Sequence, residues 1–238
     1  MKSVYLSIIF VLGLTLSSSA QIGIAKFNVG YSQWTRYYSG NDERIFFSTN
    51  PDAIENFTSK SSMPTISAEL SLLKGLTKFG SDWIGVEGRI GQSKFDFSNK
   101  FEFDGKTVNE GISQRVIPFS VSVIYHAEIA SWLSFYAGTG MNMYNFQETV
   151  TRTVSSGEGS IDPRTFTALS YGWTNQIGAE FWVLPRVAIG IEGRQHYGSY
   201  NKFRPLGGGE AERLKIDLRG LEFGASVRYR LSVPQLAK

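Results

Sequence analysis

Apolar and polar side chains alternate with a period of two along most of this chain. The pattern defines eight segments, at residues 24–37, 65–73, 84–95, 115–125, 133–146, 166–181, 187–197 and 218–231. A period of two is the signature of a β-strand, because successive side chains point to opposite faces. In the last segment Leu221, Phe223, Ala225, Val227, Tyr229 and Leu231 oppose Glu222, Gly224, Ser226, Arg228 and Arg230. In the fourth, Ile117, Phe119, Val121, Val123 and Tyr125 alternate with Ser120 and Ser122. Pro118 lies inside that segment and removes one ladder donor, so a bulge or local irregularity is expected there. No segment sustains a helical repeat.

The connections alternate as well. Those at 38–64, 96–114, 147–165 and 198–217 are long and polar; "KGLTKFGSD", "HAEIAS" and "LPR" are short. Short turns at one end and long loops at the other are the layout of outer-membrane barrels. No apolar run of about 18 residues follows residue 21, which excludes helical membrane spans. Transmembrane strands need only about 9–11 residues each. The expectation is an all-β, eight-stranded, antiparallel up-and-down transmembrane β-barrel.

Charge placement then assigns the two faces. "IGVEGRIGQS" carries Glu87 and Arg89, and "IGIEGRQHYG" carries Glu192 and Arg194, each pair two residues apart and hence on one face. An arginine facing lipid near the midplane costs about 2–4 kcal/mol, so the charged face must point inward. An eight-stranded barrel has just enough interior for side chains. A filled polar lumen is therefore expected, with Glu69, Glu87, Glu180, Glu192 and Glu222 pairing with Arg89, Arg194 and Arg228, since an unpaired buried charge is costly. Trp83, Trp132 and Trp182 fall at the short-turn ends, where a membrane-interface belt would lie, and Tyr125 and Tyr229 join them there. Strict alternation points the three tryptophans inward, so they either break parity near the turns or close the mouth of the lumen.

Composition narrows the remaining classes. The chain has 238 residues, 19% charged and 14% aromatic, with a formal charge of +3 and no cysteine. Its basic residues are dispersed, which argues against nucleic acid as a partner. Without cysteine there is no disulfide framework and no thiolate metal site. Lys2, the apolar run from Val4 to Leu16, and Ser18 and Ala20 in "SSSA" have the layout of a signal peptide at residues 1–20, leaving one domain at 21–238.

With its leader, its final strand "GLEFGASVRYRL" and its "GVEGR" and "GIEGR" strands, the chain resembles the small eight-stranded outer-membrane barrels of Gram-negative bacteria, the OmpA/OmpX type. One departure is the "SVPQLAK" that follows the last strand, where such barrels often end on an aromatic residue. The resemblance implies a bacterial outer-membrane location. It implies contact with outer-membrane lipid and with the barrel assembly machinery, and a non-enzymatic structural, surface-binding or adhesive role through four loops toward an extracellular partner. It implies no cofactor and no metal. Two alternatives from other classes stand beside it. One is a lipid-modifying hydrolase like the outer-membrane lipid A deacylases, for which His196 and Ser199 are the weak catalytic candidates; the other is a carrier of a small apolar ligand. His126, beside Glu128 at a short turn, reads as a solvated residue. "NDE" at Asn41–Glu43 and "GEGSID" at Gly157–Asp162 lack Ca²⁺-loop spacing.

Overall fold

The computed structural model describes residues 23–37, 60–74, 76, 82–157, 160–207 and 210–231. The leader, Asn41–Glu43 and the residues after Leu231 lie outside them. The elements are β1 (Gly23–Arg36), β2 (Lys60–Lys74), β3 (Asp82–Gly91), β4 (Ser93–Phe103), β5 (Lys106–Ala130), β6 (Leu133–Val154), β7 (Ile161–Leu184), β8 (Val187–Gly207), β9 (Glu210–Asp217) and β10 (Gly220–Arg230).

Every adjacent pair is antiparallel, running β1–β2–β3–β5–β6–β7–β8, and β10 pairs with both β8 and β1. The ring is thereby closed with eight staves and no free edge at its waist. β4 continues the stave of β3 along β5, and β9 continues that of β10 along β8. Closure gives each stave a hydrogen-bonded neighbour on both sides at the waist, as a sheet crossing a bilayer requires.

The irregularity expected at Pro118 is a gap in pairing on one side of β5, where Gly91 and Gln92 face Pro118 and Ile117, with the register the same before and after it. β5 keeps unbroken register with β6 through Pro118↔Tyr144. The break is on the other side, at Gln92, between the last β3 pair Ile90↔Phe119 and the first β4 pair Ser93↔Val116. There the Gln92 amide turns to the Pro64 carbonyl at 3.3 Å. Proline offers no hydrogen to that part of the ladder.

The regions expected as long loops are largely strand. The segment 96–114 is a β4–β5 hairpin closed at Asp104–Gly105, with φ of 50° and 68°. The segments 147–165 and 198–217 are likewise mostly paired. Their residues still alternate: Val108, Glu110, Ile112 and Gln114 are buried while Asn109 is exposed. Their polar composition conceals that period.

β5 is 25 residues long, yet a span needs only about 9–11. Its exposed large apolar residues are Phe119, Val121, Val123 and Tyr125, with Ile129 at the short-turn end. The stretch Lys106–Pro118, about 40 Å of strand at about 3.3 Å per residue, therefore rises beyond the apolar belt. In that upper part the ring splits. Among the described residues, Ile161–Tyr171 of β7 pair only with β6, and Ser199–Gly207 of β8 pair only with β9; β7 and β8 join from Gly172↔Gly198 downward.

Candidate functional site

The interior of the barrel is stacked in three layers along its axis. Nearest the short turns, the Lys26 ammonium lies 2.5 Å from Glu180 Oε1, 3.5 Å from Glu69 Oε2 and 3.3 Å from His126 Nδ1. An ammonium only donates, so Nδ1 accepts and the His126 proton is on Nε2, 2.6 Å from Glu69 Oε1. His126 is wholly buried and stacks face to face on Trp83, with ring centroids 3.9 Å apart. The expectation of a solvated turn is thus corrected: β5 runs on to Ala130, and even-numbered β5 positions face inward. Glu69, His126 and Glu180 present donors within 4.8 Å of one another, a metal-like set. The Lys26 ammonium sits among them and already supplies the cation.

Trp83 shares parity with Glu87 and Arg89, so it lines the lumen and is not part of an interface belt. Trp182 is half-buried; its Nε1 donates to Ser134 Oγ at 3.3 Å, and the Arg230 guanidinium lies 3.9 Å above its ring. Arg230 in turn bonds Glu128 at 2.7 Å. These groups close the short-turn mouth. Trp132, Tyr125 and Tyr229 are exposed, at the belt positions the sequence suggested. Register shifts at Ser71/Leu73, Glu128/Ala130 and Trp182/Leu184 change parity beside each short turn. The tryptophans therefore divide: Trp83 and Trp182 close the mouth, and Trp132 faces out.

The middle layer is the ion network. Arg228 Nη1 bonds Glu180 at 2.8 Å, and its Nη2 bonds Glu192 at 3.0 Å and the Tyr136 hydroxyl. Arg194 bonds Glu87 at 2.6 Å and Glu192 at 3.3 Å. Arg89 bonds Glu222, and lies 3.5 Å from Glu192. All eight charged positions expected in the lumen are there, joined by Lys26. The pairing is crosswise, however. Glu87 does not pair with Arg89 on its own strand; it reaches Arg194 across the barrel. Glu192 and Arg194 do touch along their own strand, at 3.3 Å, but the shorter contact of Arg194 is to Glu87 on the facing wall. Glycine makes the room: a Cβ on Gly190 would collide with Arg228 Nε.

The third layer, toward the hairpin end, is built around an apolar cluster. Trp34, Met63, Phe95, Ile112, Val116, Tyr144, Phe146, Tyr200, Ile216 and Leu218 form one buried cluster. The lumen is thus polar through its inner two layers; above them the apolar cluster is accompanied by buried polar groups, with Arg36 Nη1 donating to Gln114 Oε1 at 2.7 Å and Gln114 Nε2 to Glu148 Oε2 at 2.8 Å. The outer layer went unseen in the sequence because four of the cluster's ten residues, Met63, Ile112, Tyr200 and Ile216, lay in stretches assigned to loops. His196 joins the layers. Its Nε2 donates to Glu222 at 2.8 Å, Nδ1 accepts from Asn142 at 3.2 Å or Tyr144 at 3.3 Å, and its ring lies 4.7 Å from that of Trp34. Ser199 is exposed, on the opposite face of β8. Three residues apart on a strand means opposite faces, so His196 and Ser199 are not brought together.

A closed eight-stave wall, an apolar outer belt and a charged, paired interior make this an outer-membrane β-barrel. No protein-family model matches the chain, and no curated protein matches it. Among solved structures it is similar to Neisserial surface protein A, with 13% identity over 88% of this chain and 99% of that one and a TM-score of 0.48. It is similar to Ail, the attachment invasion locus protein of Yersinia pestis, with 14% identity over 87% and 100% and a TM-score of 0.40. It is also similar to the outer membrane protease OmpT from Escherichia coli, with 6% identity over 89% and 96% and a TM-score of 0.47.

Proposed function

We propose that this protein is a non-enzymatic surface-binding barrel, exported by the leader at residues 1–20, whose β-ribbons engage a partner outside the cell. The observation that carries the reading is the extent of strand beyond the belt. Continuous pairing along Val108↔Val154 to Val116↔Phe146 makes a stiff platform, and the separation of β7 from β8 leaves two strand edges for a partner to pair with. The lumen supports the same reading, because its own side chains occupy the path an ion or substrate would take. Binding of intact cells to host-surface or matrix proteins tests it. Replacing 94–115 by a tight turn should abolish binding while the heat-dependent gel shift of the folded barrel persists. Binding unchanged by that replacement would refute the role of the platform.

A carrier reading draws on one observation. The gap between β7 and β8 opens beside Phe166, Ala168 and Tyr200, at the edge of the apolar cluster. Saturable uptake of an apolar fluorophore, lost in Ala168→Trp, would favour it. The hydrolase reading needs His196 beside a nucleophile. Unchanged lipid A mass spectra on gene deletion would remove it.

A further inference from the structure

The lipid-facing belt is interrupted by a stripe of polar side chains. Thr139 on β6, Asn175 on β7 and Gln195 on β8 are successive cross-strand partners, Thr139↔Asn175 and Asn175↔Gln195. All three have outward parity; Thr139 and Asn175 are exposed and Gln195 is half-buried. They lie mid-belt, because exposed apolar residues flank them along each strand: Phe135 and Met141, Ile177 and Trp173, Ile191 and Tyr197.

Part of the stripe is satisfied from within. Asn175 Oδ1 accepts from Thr139 Oγ1 at 2.7 Å and from Trp173 Nε1 at 3.2 Å. That leaves the Asn175 amide hydrogens free, and among the described residues the Gln195 side chain has no hydrogen-bond partner. Polar groups without partners are disfavoured in hydrocarbon, where no water can complete them. Small residues sit next to the stripe: Gly193, whose outward direction meets only Phe223 at 3.3 Å, and Ala137. Small residues beside polar ones let two walls approach closely within a membrane.

We propose that this face is the contact between two copies of the chain in the membrane. The chemistry selects a second copy because it is self-complementary. Asn175 offers donors with its acceptor already used, and Gln195 offers an acceptor. A twofold axis along the membrane normal, passing between β7 and β8, brings Asn175 of each copy to Gln195 of the other. That is the reciprocal exchange a twofold contact requires. A lipid tail offers neither donor nor acceptor. The proposal rests on the belt meeting lipid and is independent of what the ribbons bind.

The chain has no cysteine, so single-cysteine variants report this contact without background. Oxidative cross-linking in native outer membranes is the test, with Gln195→Cys and Asn175→Cys against Val121→Cys outside the stripe. A homodimer band is expected for a mixture of Gln195→Cys and Asn175→Cys, and none for Val121→Cys. Sedimentation equilibrium of the protein in density-matched detergent should show a dimer weakened roughly 10-fold by Gln195→Leu, with the heat-dependent gel shift confirming that each variant is folded. Folded protein that stays monomeric, equal cross-linking at Val121, or capture of a different protein by Gln195→Cys would overturn the proposal.

Discussion

Glu87 lies two residues from Arg89 on one strand, yet its ion pair is with Arg194, and the two pairings predict different energetics. Glu87 and Arg194 are 2.6 Å apart and each about 1% exposed. At an effective dielectric of about 20 their gross attraction is about 6 kcal/mol, most of it offset by desolvation. Breaking a buried pair by removing one partner typically costs about 3–5 kcal/mol. Here Arg194 keeps Glu192 at 3.3 Å, and Glu87 keeps a 3.3 Å hydrogen bond from Ser67. The low end is therefore expected: about 3 kcal/mol each for Glu87→Gln and Arg194→Met. The double variant should cost about 2 kcal/mol less than their sum, within the range for residues in direct contact. The matched cycle of Glu87→Gln with Arg89→Met should couple by less than about 1 kcal/mol, because Arg89 is spent on Glu222 and Glu192. Reversible urea unfolding of the barrel refolded in phospholipid vesicles, followed by tryptophan fluorescence, gives both cycles. A Glu87–Arg89 coupling equal to or larger than the Glu87–Arg194 coupling would refute the crosswise network.

Two glycines on opposite faces should respond oppositely to one added methyl group. Gly190→Ala pushes into Arg228 and should cost about 1–3 kcal/mol, whereas Gly88, with nothing within 4 Å of its Cβ position, should accept alanine within about 0.5 kcal/mol; the same unfolding titration reads both. Val121→Arg, in the belt, should cost about 2–4 kcal/mol, while Ser113→Arg, on the same strand but beyond the belt, should be nearly neutral; equal costs would mean the belt ends elsewhere. In planar bilayers the purified protein should give no steady conductance steps, because Arg228, Arg194, Lys26 and Trp34 fill the axis; stable unitary steps would contradict a filled lumen. Trypsin applied to intact cells should cut at Lys106, next to the Asp104–Gly105 turn, and leave the heat-dependent gel shift intact.

Side-chain parity carried much of the fold in the sequence. Glu69, Glu87, Arg89, Glu180, Glu192, Arg194, Glu222 and Arg228 all face inward as alternation requires, because a strand fixes the face of a residue locally. Which residue each meets is not local. The Glu87–Arg194 pair depends on barrel closure and on the stagger between staves, and no spacing along the chain encodes either. Lys26 and Trp34 were legible by the same parity, opposite Phe27, Val29 and Tyr31, but a lone lysine near a strand end carries little contrast. His126 and Trp83 were obscured by the strand boundary: polar residues at 126–131 suggested a turn, while the strand continues to Ala130. The hairpins above the belt were obscured by composition, since a ribbon wet on its outer face reads as loop unless its period is counted. The polar stripe was visible only as an interruption at Asn175 between Trp173 and Ile177. Its meaning came from register, which puts Thr139 and Gln195 beside it.

The most direct measurement is a nitroxide scan along β5 in phospholipid vesicles, one introduced cysteine at a time from position 113 to 126. A wall with acyl chains outside and paired ions inside predicts high oxygen accessibility at 119, 121, 123 and 125. It predicts low accessibility to oxygen and to a polar nickel reagent at 120, 122, 124 and 126, and nickel accessibility at 113 and 115. Loss of the two-residue alternation, or nickel reaching 121 and 123, would contradict a lipid-facing belt around an occluded lumen.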